Sequence, residues 1–167
     1  MVEKYCLCIA KAMHLPESEK KIIERAAILH DIGKVGIVDA ILKKPGKLDD
    51  EEWKIMKEHP ATAIKILEPL KFLEKEKGII LHHHEKYGGG GYPDGIKGED
   101  IPLRARIMAV ADTFDAMNSR RSYRNALPKD AIISELKKVS GFQLDPDVVN
   151  AFLKLLQNDP NLWERDQ

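Results

Sequence analysis

Apolar residues recur every three to four positions along nearly the whole chain, and no stretch alternates long enough to make a strand. The pattern predicts an all-α protein. Val2, Tyr5, Ile9 and Met13 form a first helical stripe, and Pro16 sets up a second helix in which Ile22, Ile23, Ala26 and Leu29 lead to His30. Gly33 is read as the cap that ends this second helix. Asp49 with Glu52 has the form of a capping box, opening a helix through Trp53, Ile55, Met56 and His59 until Pro60 breaks or kinks it. Ile64 to Leu67 continue before Pro69, and another helix is expected from about Leu73 to Glu85.

The next segment, Tyr87 to Pro102, carries Gly88, Gly89, Gly90, Gly91, Gly95 and Gly98 and reads as a loop built to bend. Periodicity returns strongly from Leu103 to Met117, with Arg104, Arg106, Asp112 and Asp115 set into it. Two more helices are expected near Lys129 to Val139 and near Asp145 to Leu156, each after a turn signal at Pro128 and at Gly141. With no internal repeat and no linker, the reading is one domain over residues 1–156, followed by a polar, mobile tail over 157–167 in which Trp163 has the character to dock.

Composition adds limits. A chain of 167 residues, 43% of them hydrophobic, has room for a sizeable core. Its 27 Lys and Arg balance 27 Asp and Glu, so no overall positive field holds a nucleic-acid polymer, and a phosphate partner must be met by a local site. No apolar run approaches the roughly 20 residues of a membrane span, and Met1 to Ala10 lacks the zones of a secretory signal. A cytoplasmic protein is expected, with no membrane contact in this segment. Cys6 and Cys8 would project about 200° apart on a helix, so they neither pair nor share a metal, and both read as small core residues in a reducing compartment.

The candidate chemistry lies in the histidines, His14, His30, His59, His82, His83 and His84. His30 is followed at once by Asp31, and imidazole with carboxylate suits iron, manganese or zinc better than calcium or magnesium. Alone, the pair fits a helix ending in polar residues better than it fits a metal site. The succession His30-Asp31, His59, His83-His84 and then Asp112 points further toward a metal. Asp112 lies among Ala109, Val110, Ala111 and Phe114, where a carboxylate is costly to bury unless it is paired or coordinates a cation. Successive helical residues turn by about 100°, so at least one of His82, His83 and His84 must be a bystander. Spacing alone leaves a solvated run and a ligand set equally open.

Taken in order, HDIGKVGIVDAILKKPGKL, MKEHP, HHE, GGGGYPDGIKGEDIPLRARI and ADTFDAMNSRRSYR resemble the HD-GYP domain, a bacterial subgroup of the HD phosphohydrolase superfamily that hydrolyses cyclic di-GMP. The resemblance implies a multi-helix bundle with a long glycine-rich GYP loop. It also implies two divalent ions, iron or manganese, with zinc or nickel as alternatives. By position, Asp31 would bridge the ions, His59, His83 and His84 would complete one of them, and His30 and Asp112 would belong to the other. Lys34 would contact the scissile phosphate as a point charge, Tyr92 is the tyrosine of the GYP motif, and Arg121 and Arg124 would hold the ligand's phosphates. The glycine segment then becomes the mobile rim of the substrate cleft.

Such domains carry another metal-binding histidine in the first helix, and Val2 and Tyr5 match the residues that follow it, so it would lie upstream of Met1. The expectation is a metal-dependent phosphodiesterase that converts cyclic di-GMP to pGpG, with a further step to GMP left open. Its alternative is a module that binds the nucleotide or a diguanylate cyclase (GGDEF) partner with little turnover, because that ligand is missing.

Overall fold

The computed structural model describes residues 1–119 and 126–164, and these are helical almost throughout, with no strand among them. Helix α1 (Val2–Ala12) is the central element. Its Tyr5, Cys6, Ile9 and Ala10 are fully buried, at the four-residue spacing that places them on one stripe. Around it pack α2 (Glu17–Leu29), α7 (Leu103–Asn118) and α9 (Pro146–Asn158), with α6 (Glu74–His82) closing over α2 and α7. Tyr5 meets Phe114 edge-on with ring centroids 4.8 Å apart, and Phe114 meets Phe152 the same way at 4.9 Å. Each such fully buried side chain stabilises the fold by about 1.5–3 kcal/mol.

Other elements complete the chain. They are α3 (Asp39–Leu42), α4 (Asp50–Met56) and α5 (His59–Leu67), with α8 (Lys129–Val139) on the far side of α7. The capping box is present: Asp49 accepts from Glu52 N at 2.9 Å, and Glu52 accepts from Asp49 N at 2.8 Å. Helix α4 stops at Met56, and α5 restarts at His59 with Pro60 in its first turn, where the missing N–H removes no helical bond. No helix among the described residues is long and apolar enough to cross a membrane.

The structure departs from the sequence reading in several places. Met13 lies just past α1, and α6 ends at His82 rather than Glu85. Gly33 is no helix cap: α2 ends at Leu29, and Gly33 sits in a 3₁₀ turn, Ile32–Gly36, without a left-handed φ. It is glycine because α5 passes against it. A Cβ there would stand 1.8 Å from the carbonyl oxygen of His59. The packed fold also runs past residue 156. A last 3₁₀ turn, Pro160–Trp163, buries Leu162, sets Trp163 edge-on to Phe114 at 5.4 Å, and lets the Trp163 Nε1 donate to Leu156 O.

The glycine-rich segment is tied to the body of the fold by backbone and side-chain hydrogen bonds. Tyr87 N donates to Gln143 O and Gly88 N to Phe142 O, while Gly98 N closes back on Tyr87 O at 2.7 Å. At its far end Arg106 donates to Ile101 O at 2.9 Å and to Asp145 at 2.5 Å, the same carboxylate that caps α9. The Tyr92-Pro93 peptide is cis. Gly91 folds so tightly onto the end of the HHE segment that a Cβ would lie 2.3 Å from Lys86 N.

Candidate metal centre

Three histidines reach the site by one local device. The Nδ1 of His30 donates to Ala27 O at 2.7 Å, that of His59 to Met56 O at 2.8 Å, and that of His83 to Ile80 O at 2.6 Å. Each partner is a carbonyl three residues back, and a carbonyl only accepts. Each Nδ1 therefore holds the proton and each Nε2 keeps its lone pair. All three Nε2 atoms are buried, and none has a hydrogen-bond partner. An orphaned buried acceptor costs roughly 1–3 kcal/mol, so three of them together call for a ligand that takes lone pairs.

The helix ends aim these rings. His30 and His83 are the residues just past α2 and α6, and His59 opens α5 where Pro60 forces the chain to restart. His84 lies against His83 with ring centroids 4.0 Å apart and against His59 at 5.0 Å. His59, His83 and His84 each offer a ring nitrogen within 4.8 Å of the others. His82 turns away, and its two ring nitrogens are taken up by Gly78 O and by Asp94, both at 2.9 Å. His14 is exposed beyond α1.

Asp31 stands between the imidazoles. Its Oδ2 is 3.5 Å from His30 Nε2 and accepts from Lys34 Nζ at 2.7 Å, while its Oδ1 is 3.7 Å from His59 Nε2. Burial opposes its ionisation, but the neighbouring His30, Lys34 and His59 side chains outweigh burial and hold the carboxyl below its ordinary range. Burial, reinforced by the neighbouring imidazoles, pushes the His83 pKa down to about 3. Burial likewise lowers His59 and His84. His59, His83 and His84 are thus neutral at neutral pH, the form that ligates a metal.

Asp112 comes from α7 and lines a cavity of about 140 Å³ together with His83, His84, Glu85 and Tyr92. Tyr92 stacks on His84, with centroids 4.9 Å apart and planes at 27°. Burial first, then the charges of Asp112 and Asp31, raise the Tyr92 pKa, so its hydroxyl stays a donor. Burial and the Asp112 charge similarly keep the Cys6 thiol protonated. Arg121 and Arg124 lie outside the described residues.

Two contacts were not read from sequence. Lys57 places its ammonium 5.8 Å from the centroid of the Tyr92 ring. Glu85 is buried, and its Oε1 accepts from Asp94 N at 2.7 Å and from Gly95 N at 3.0 Å. An acid ending the HHE segment just before a run of spare loop amides was the available signal.

Neutral imidazoles with buried lone pairs around a carboxylate form a donor set that fits divalent transition metals. The model of the HD domain matches residues 1–148. The chain belongs to the HD-domain family. It is 47% identical over 148 residues to the cyclic di-GMP phosphodiesterase response regulator RpfG of Xanthomonas campestris, covering 87% of this chain and 39% of that protein. It is 43% identical over 155 residues to the 3'3'-cGAMP-specific phosphodiesterase 2 of Vibrio cholerae, covering 92% of this chain and 30% of that protein. The fold is shared with Bd1817, an HDG"Y"P protein of Bdellovibrio bacteriovorus, at a TM-score of 0.77 and 18% identity, covering 93% of this chain and 50% of that one. This HD domain thus spans well under half the length of the curated relatives named here.

Proposed function

We propose that this HD domain is a metal-dependent phosphodiesterase that opens a cyclic dinucleotide, converting cyclic di-GMP to linear pGpG and further to GMP. The observation that carries the reading is the Asp31 carboxylate set between His30 and His59, one oxygen toward each buried, unpartnered Nε2. His59, His83, His84 and Asp31 would hold one ion, and His30, Asp31 and Asp112 the other, with iron or manganese the metals that suit the donors. When bound, such a pair supplies a nucleophilic water at neutral pH and neutralises charge on the phosphoryl oxygens.

The chain's own residues supply the rest. Lys34, held at the carboxylate by its 2.7 Å contact with Asp31, offers a point charge to the non-bridging oxygens of a phosphodiester. Tyr92 keeps its proton and presents a hydroxyl donor at the cavity, with its ring fixed against His84. Arg121 and Arg124 are proposed to hold the distal phosphate on the strength of the resemblance alone, as is contact with a diguanylate cyclase domain. A cytoplasmic location belongs to the same reading.

The relatives named for cyclic di-GMP and for 3'3'-cGAMP make both nucleotides substrates to try. Protein purified anaerobically and incubated with Fe(II) or Mn(II) and each nucleotide should release the linear dinucleotide, seen by chromatography. Absence of linear product from both nucleotides with both metals would overturn the reading.

A further inference from the structure

Glu85 follows the two histidines that close the cluster, and unlike a surface acid it is buried. It is buried to 4% exposure, and its Oε1 accepts two backbone amides of the glycine-rich segment, Asp94 N at 2.7 Å and Gly95 N at 3.0 Å. Its Oε2 is buried without a hydrogen-bond partner, so the two amide bonds at Oε1 are what offset the cost of burying this carboxylate. The chain between the two ends of this tie contains Tyr92, whose amide donates to His84 O at 3.4 Å and whose ring lies on the His84 imidazole. Gly91 makes the fold-back tight, because its Cα approaches Glu85 and Lys86 too closely for any side chain. A second tie, from His82 to Asp94 at 2.9 Å, joins the same loop residue to the same helix end.

We propose that Glu85 is a positioning residue, which clamps the Asp94-Gly95 turn to the end of α6 and thereby holds Tyr92 over His84 at the substrate cavity. The HHE segment then has a division of labour. His83 and His84 face inward as candidate metal ligands, and Glu85 fixes the loop that presents the substrate-facing tyrosine. The catalytic part of the proposal rests on the phosphodiesterase reading above; the clamp itself rests only on the geometry.

The test uses the full chain as Glu85→Ala and Glu85→Gln, the latter keeping an oxygen acceptor of the same reach. In Glu85→Ala the Asp94 and Gly95 amides should exchange hydrogen roughly ten-fold or more faster than in the parent, with protection in α1 and α7 unchanged. Metal content should stay at the parent value. KM for the cyclic dinucleotide should rise about ten- to a hundred-fold, with a smaller change in kcat. Glu85→Gln should recover most of both effects. Unchanged exchange at Asp94 and Gly95 would refute the clamp, and faster exchange throughout the fold would reduce Glu85 to a general stabiliser. Faster local exchange with an unchanged KM would refute the positioning role. A parent protein that turns over no cyclic dinucleotide would defeat the hydrolase reading and, with it, the catalytic half of this one, while the exchange measurement still decides the clamp.

Discussion

At His83, burial and a single carbonyl decide the chemistry: the bond to Ile80 O fixes the tautomer, and desolvation keeps the ring neutral down to about pH 3. The sign of the consequence follows from linkage. With the folded pKa of His83 depressed from 6.5 and that of His59 lowered as well, the unfolded chain takes up protons first as the pH falls below 6.5. Metal-stripped protein should therefore lose stability steadily from about pH 6.5 toward pH 3, measured by denaturant unfolding in chelator. A flat profile across that window would contradict the tautomer and burial described for these rings. Lys34 offers a second residue-scale test. Lys34→Ala removes the charge proposed to meet the phosphate and should lower kcat by roughly 10²–10³, with little change in bound metal. If kcat were unchanged, Lys34 would be only the partner of Asp31.

At the scale of elements, what could be read ahead and what could not separates by range. The capping box of α4 was legible because Asp49 and Glu52 carry their reason within four residues. The break at Pro60 was legible for the same cause. Gly33 was misread, because its reason lies across the fold, in the His59 carbonyl that a methyl group would strike. The glycine-rich loop was read as mobile, since nothing local announces that Gln143, Phe142 and Glu85 would receive its amides. Gly33→Ala should force α5 away from the 3₁₀ turn, cost about 1–3 kcal/mol by denaturant unfolding, and weaken metal binding through the displaced His59. A variant with parental stability and metal content would show that α5 does not need this close approach.

For the whole molecule, the apolar periodicity announced an all-helical chain, and the helices bring His30, His59, His83 and His84, from segments up to about fifty residues apart, into ring contact. Which of His82, His83 and His84 turned inward was not legible in spacing, because it depends on where α6 ends; the ending at His82 sends that ring to Asp94. The roles of Asp112, Arg121 and Arg124 rest on the resemblance and await test. A cluster of orphaned imidazoles at the junction of three segments makes folding and metal binding one equilibrium. At metal concentrations near a hundred times the dissociation constant, stripping the ions should lower the melting temperature by roughly 5–10 °C, as seen by calorimetry with and without chelator.

The central claim is met most directly by anomalous diffraction at the iron or manganese edge from crystals of the metal-loaded protein, with stoichiometry measured on the same sample. Two peaks are expected, one ringed by the Nε2 or Nδ1 atoms of His59, His83 and His84, the other beside His30, with Asp31 between them. Imidazoles crowded as described but with no peak among them, in protein offered either metal, would contradict it.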